Sequence, residues 1–114
     1  MNKTLRALFV VAGIAGSSLA NAVDFAPATG LTMCAGVYGT MQAYSTNPND
    51  KAVIQNRAMQ IMRVALKYNP NASNDAIGLI KENMARIARN EPGVADEIIS
   101  AEKFCRGYTA KYGI

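Results

Sequence analysis

From residue 29 onward the hydrophobic positions recur at three- and four-residue intervals, and turn-forming residues interrupt the recurrence three times. Leu31, Cys34, Tyr38 and Met41 share one face of a helix predicted over residues 29–44. Ser45-Thr46-Asn47-Pro48-Asn49-Asp50 is cap and turn chemistry. Asn47 is a natural N-cap, and Pro48 fits a first helical position, where its missing N–H costs nothing. The second helix is predicted over 48–68. Its apolar stripe is Ile54, Ala58, Ile61, Ala65 and Tyr68, opposite a polar face of Asn56, Gln60, Arg63 and Lys67. Pro70 pushes Asn69 out of the helical region and ends it.

The third helix is predicted over 73–89 with Ile77, Ile80, Met84 and Ile87 inward, and Asn90-Glu91-Pro92-Gly93 breaks the chain again. The fourth carries Val94, Ile98, Ala101, Cys105, Tyr108 and Tyr112 on one face. No segment alternates at period two for long enough to suggest a strand. Short links between consecutive helices favour antiparallel neighbours, so the expected fold is an all-α, up-down-up-down four-helix bundle.

Residues 1–22 stand apart. Lys3 and Arg6 precede an uncharged apolar stretch over 7–16, and Ala20-Asn21-Ala22 offers small residues where a signal peptidase needs them. This predicts a cleaved signal peptide and a single mature domain over residues 23–114, periplasmic or secreted. Glycines, serines and Asn21 dilute the run too much for a spanning helix, so no membrane span is expected after cleavage. Cleavage also removes two of the twelve basic residues, leaving ten against eight acids, a net of +2. Such a weak surplus, with acids and bases interspersed, does not suggest a nucleic-acid partner.

In an exported chain the two cysteines predict a disulfide between Cys34 and Cys105. In an up-down-up-down bundle the start of the first helix and the end of the fourth lie at the same end, which is compatible with that bridge. Both cysteines fall on their helices' apolar faces.

The composition closes off much chemistry. With no histidine, Ser-His-Asp and Cys-His arrangements and histidine-ligated zinc or haem are excluded. Met59 and Met62, at MxxM spacing, and Met33, Met41 and Met84 would suit only a thioether copper site, and core filling accounts for them without a metal. Asp96 and Glu97 diverge on a helix, and Glu82 stands four residues before Arg86, the spacing of a surface ion pair. No carboxylate pair, serine or lysine acquires a partner that would make it catalytic. The expectation is a non-enzymatic protein without metal or cofactor.

Two features invite a binding role. Gly36 and Gly39 sit inside a helix, where each costs about 1 kcal/mol relative to alanine. With Thr32 and Ala43 they form a small-residue stripe, explained by close approach of another helix of the bundle or, alternatively, by a groove for a partner. The other feature is Arg57, Arg63, Arg86 and Arg89 on the second and third helices, joined by Tyr44, residue types favoured at interfaces. Antiparallel packing is expected to bring them together as a partner-binding patch suited to an acidic surface.

In size, helical class and single disulfide the chain resembles three groups of small exported proteins: periplasmic acid-stress chaperones, immunity proteins against cell-wall-degrading toxins, and phage proteins that block envelope lysozymes. That likeness implies a module binding a protein partner in the cell envelope, of inhibitor or immunity type, with a holdase chaperone as the alternative.

Overall fold

A computed structural model describes residues 25–114; the expected signal peptide lies outside the described residues. The chain divides among α1 (Pro27–Tyr44), α2 (Pro48–Tyr68), α3 (Ala72–Ala88) and α4 (Val94–Ala110). No helix among the described residues is long and apolar enough to cross a membrane. The breaks are those read from the sequence. Asn47 accepts hydrogen bonds from the backbone N–H groups of Asn49 (2.9 Å) and Asp50 (3.2 Å), with Pro48 opening α2. The turn before α4 uses left-handed backbone at Asn90 (φ 53°) and Gly93 (φ 81°).

Pairings along α1 establish the topology. Gly30 faces Tyr108, Cys34 is bonded to Cys105, and the Tyr38 hydroxyl donates to Glu102 at 2.8 Å, so α1 and α4 run antiparallel. Thr32 accepts from Asn69, Gly36 faces Leu79, and Thr40 accepts from Asn83, so α1 and α3 run parallel. The bundle is therefore up-down-up-down, closed by the expected disulfide with its Cα atoms 5.6 Å apart.

The four helices are not equivalent. α1 was expected to bury one face, but every residue from Gly30 to Tyr38 is buried, and Thr40 as well. Its sequence has no charged residue from Pro27 to Tyr44, which is what a helix surrounded by others requires. α2, by contrast, fully buries only Ile61 and Ala65. The core is thus a central α1 with α2, α3 and α4 around it.

α3 corrects a second expectation. Its buried residues are Ala72, Ala76, Leu79, Asn83 and Arg86, one position back from the predicted stripe, while Ile77 is 48% and Met84 39% exposed. Close packing on α1 selects that face. A Cβ on Gly36 would lie 2.9 Å from the Leu79 Cβ, and one on Gly39 would collide with the end of Ile80. These two glycines therefore serve contact between α1 and α3, leaving room for Leu79 and Ile80. Gly30 does the same for α4, admitting the Tyr108 ring. That ring stacks on Phe104 at 5.5 Å, and its hydroxyl donates to the Phe25 carbonyl at 2.7 Å.

Candidate binding cleft

The three outer helices do not close around α1. α3 packs against both α2 and α4, whereas α2 and α4 scarcely approach one another, and the gap leaves Met41 partly uncovered and Tyr44 exposed on α1. Two adjoining cavities occupy it. The larger, about 910 Å³, has Thr40, Met41 and Tyr44 of α1 as its floor, Asp50, Val53 and Ile54 on the α2 side, and Val94, Ala95, Asp96, Ile98 and Ile99 on the α4 side. The smaller, about 540 Å³, shares Met41, Val53 and Ile54 and continues to Tyr38, Arg57, Glu102 and Arg106.

Local sequence explains the apolar walls. Val53-Ile54 and Ile98-Ile99 are doublets, and neighbours on a helix cannot both face the core. Ile54 and Ile98 pack against it, leaving Val53 68% and Ile99 64% exposed on the cleft. The rim is acidic: Asp50, Glu91 and Asp96 line the larger cavity, and no lysine or arginine does. Asp50 and Asp96 each stand in the first turn of a helix, where the dipole favours a carboxylate.

The expected arginine patch does not assemble. Arg86 is wholly buried: its Nε–H donates to Glu91 and its Nη2 to Glu97, each at 2.6 Å, tying the end of α3 to the turn and to the first turn of α4. Burial opposes the guanidinium charge, but these hydrogen bonds and carboxylate charges outweigh it and hold the Arg86 pKa above its ordinary value. Such a side chain is a structural strut rather than a surface contact. Arg57 points the other way, donating to the main-chain oxygen of Ile114 and to Thr109 Oγ1, each at 2.9 Å, and lying 5.3 Å from the Tyr38 ring centre. Glu97 and Thr109 are twelve residues apart on α4, roughly 18 Å at 1.5 Å per residue, so the two arginines are pinned at opposite ends.

Arg89 is exposed near Glu82 and Glu91 (4.0 and 3.5 Å), and Arg63 lies by the chain end with Tyr112 and Ile114. Of the residues singled out for binding, Tyr44 (47% exposed) lines the larger cavity and Arg57 the smaller.

A polar network marks the narrow end of the cleft. Glu102 accepts from Tyr38 and pairs with Arg106 at 2.9 Å. Burial raises the Tyr38 pKa; Arg57 opposes the rise and Glu102 adds to it, so Tyr38 stays a neutral donor. Among the described residues no group of three histidine, cysteine, aspartate or glutamate side chains is placed to hold a metal. Met33 is buried in the core, Met41 lines the cleft, and Met62 meets the Ser73 hydroxyl.

Sequence reasoning missed the cleft because it sought charged candidates. The usable signals were the doublets and the uncharged α1, which together imply a central helix and apolar side chains left outside the core. The chain matches no protein-family model, no curated protein and no solved structure.

Proposed function

We propose that this chain is an exported, non-enzymatic protein-binding module of the cell envelope, of the inhibitor or immunity type, which neutralises an envelope-acting toxin or lysozyme by seating part of it between α2 and α4. The observation carrying this reading is the open apolar cleft, where Val53 and Ile99 remain largely uncovered and Tyr44 about half so, in a bundle otherwise closed around α1. Concave apolar surface with a few polar groups at its rim is the usual form of a binding site. The Cys34–Cys105 bridge supports an oxidising compartment, and residues 1–22 have the pattern of an export signal.

A photo-crosslinking residue at Ile99, in the cleft, against one at Leu66, exposed outside it, tests the reading in intact envelopes. The expected result is one protein captured from position 99 and not from 66, with an activity that falls on adding the purified module. Equal capture from both positions, or a captured enzyme that is unaffected, defeats it.

The Arg86 network favours a second reading, an acid-activated holdase. Acidification to about pH 2–3, below the ordinary carboxyl range, discharges carboxylates and would leave a buried guanidinium without counter-charge. Reversible dye binding together with suppressed client aggregation at that pH would select the holdase over the inhibitor.

A further inference from the structure

We infer that the cleft receives an amphipathic helix of the partner with basic side chains flanking its apolar face, an inference that rests on the binding role proposed above. Shape comes first. Along α4 the two cavities extend from Val94 to Arg106, about 18 Å at 1.5 Å per residue, which is room for about three helical turns. The opening is a trough between two helices that scarcely touch, with a third as its floor. A helix laid there would complete the ring around α1, so the packing that α3 makes with α2 and α4 would be repeated by the partner. The apolar contacts on offer, Met41, Tyr44, Val53, Ile54, Ile98 and Ile99, match anchors repeating at helical spacing.

Charge then selects among helices. The processed chain carries a net +2, yet the wide part of the trough has three acids and no base. Glu91 is engaged by Arg86, so Asp50 and Asp96, which line the same cavity from the first turns of α2 and α4, supply the complementary charge. The narrow part is mixed, with Arg57 and Arg106 beside Glu102. The partner's lysines or arginines therefore belong at the Asp50–Asp96 end, which also sets the direction of the docked helix. An acidic partner surface, the complement of an arginine patch, is disfavoured here.

The test uses the oxidised protein and synthetic amphipathic peptides of about three turns that share one leucine face and carry lysine, glutamine or glutamate elsewhere. Fluorescence anisotropy reads affinity, and methyl shifts of Val53, Ile98 and Ile99 report occupancy of the trough. The lysine peptide is expected to bind at least about tenfold tighter than the glutamate peptide, with the advantage shrinking in salt. Asp50→Asn with Asp96→Asn should erase that advantage, and Ile99→Asp should abolish binding of all three. Equal affinity for the three peptides at the trough overturns the basic helix while leaving the binding role standing. No binding at the trough, with crosslinking from Ile99 also lost, removes both. Self-association of the chain through this face likewise overturns the inference.

Discussion

Removing the two counter-charges of Arg86 should be far more damaging than removing Arg86 itself. The guanidinium is 0% exposed, whereas Glu91 and Glu97 keep 18% and 22% of their side-chain surface in water. In Arg86→Met, both carboxylates can turn to solvent and methionine fills the space with apolar contact, so the expected cost is about 1–2 kcal/mol. In Glu91→Gln with Glu97→Gln, a cation stays buried against neutral amides. Breaking a buried pair from one side costs about 3–5 kcal/mol, and the double variant should fall in that range. For a domain of this size that is a fall in Tm of roughly 15–30 °C, against a total stability of about 5–15 kcal/mol. Each single Glu→Gln variant retains one counter-charge and should lie between wild type and the double variant. Urea titrations at neutral pH followed by circular dichroism provide the measurement, with the midpoint compared at constant slope. A double variant within about 1 kcal/mol of wild type, or an Arg86→Met variant less stable than it, would refute the strut assignment and return Arg86 to the surface.

Replacing both cysteines by serine should cost about 4 kcal/mol, because the bridge closes a loop with a sequence separation of 71; matched denaturation curves of the two proteins measure it. The glycines should divide by environment. Gly36→Ala meets the Leu79 Cβ and should destabilise by about 1–2 kcal/mol net of improved helix propensity, whereas Gly78→Ala and Gly107→Ala, with nothing within 4 Å, should stabilise by up to about 1 kcal/mol each. Urea midpoints in the opposite order would contradict the close-approach argument. Burial raises the pKa of Tyr108, with neighbouring Tyr112 contributing, and burial also raises that of Tyr38. Since the unfolded chain loses these protons first, near its ordinary value of about 10, stability should fall as pH rises above about 10, and Tyr108→Phe should flatten that fall across a urea series from about pH 8 to 11.

The helix boundaries were legible because proline, asparagine and glycine act locally. Asn47-Pro48 starts α2 wherever the rest of the chain goes, and Asn69-Pro70 ends it. The disulfide was legible for a different reason, since two cysteines behind an expected export signal left one pairing. The rotation of α3 was not. A stripe read from side-chain hydrophobicity chooses Ile77, Ile80, Met84 and Ile87, but burial there is decided by how closely α3 can approach Gly36 and Gly39. Leu79 seats on Gly36 with the Ala76 backbone beside it, and two polar residues follow inward because partners await them: Thr40 for Asn83, and two glutamates for Arg86. Those glutamates lie five and eleven residues further on, across a turn, where no helical periodicity points. Counting arginines as surface residues hid the strut, and passing over Val53 and Ile99, which fell outside every stripe, hid the cleft.

The central position of α1 has a consequence for how this sequence can change over evolutionary time. A helix packed on nearly all sides has few positions where substitutions go unnoticed: here Gly36 and Gly39 answer to α3, Gly30 and Cys34 answer to α4, and the absence of charge answers to burial as a whole. α2 fully buries only two residues and answers mainly to its cap and its stripe. Drift should therefore concentrate in the outer helices while the segment from Gly30 to Thr40 holds still. A distant relative with unrelated surfaces would be recognised by an uncharged first helix with glycines at the three contact positions and a cysteine that finds its mate in the last.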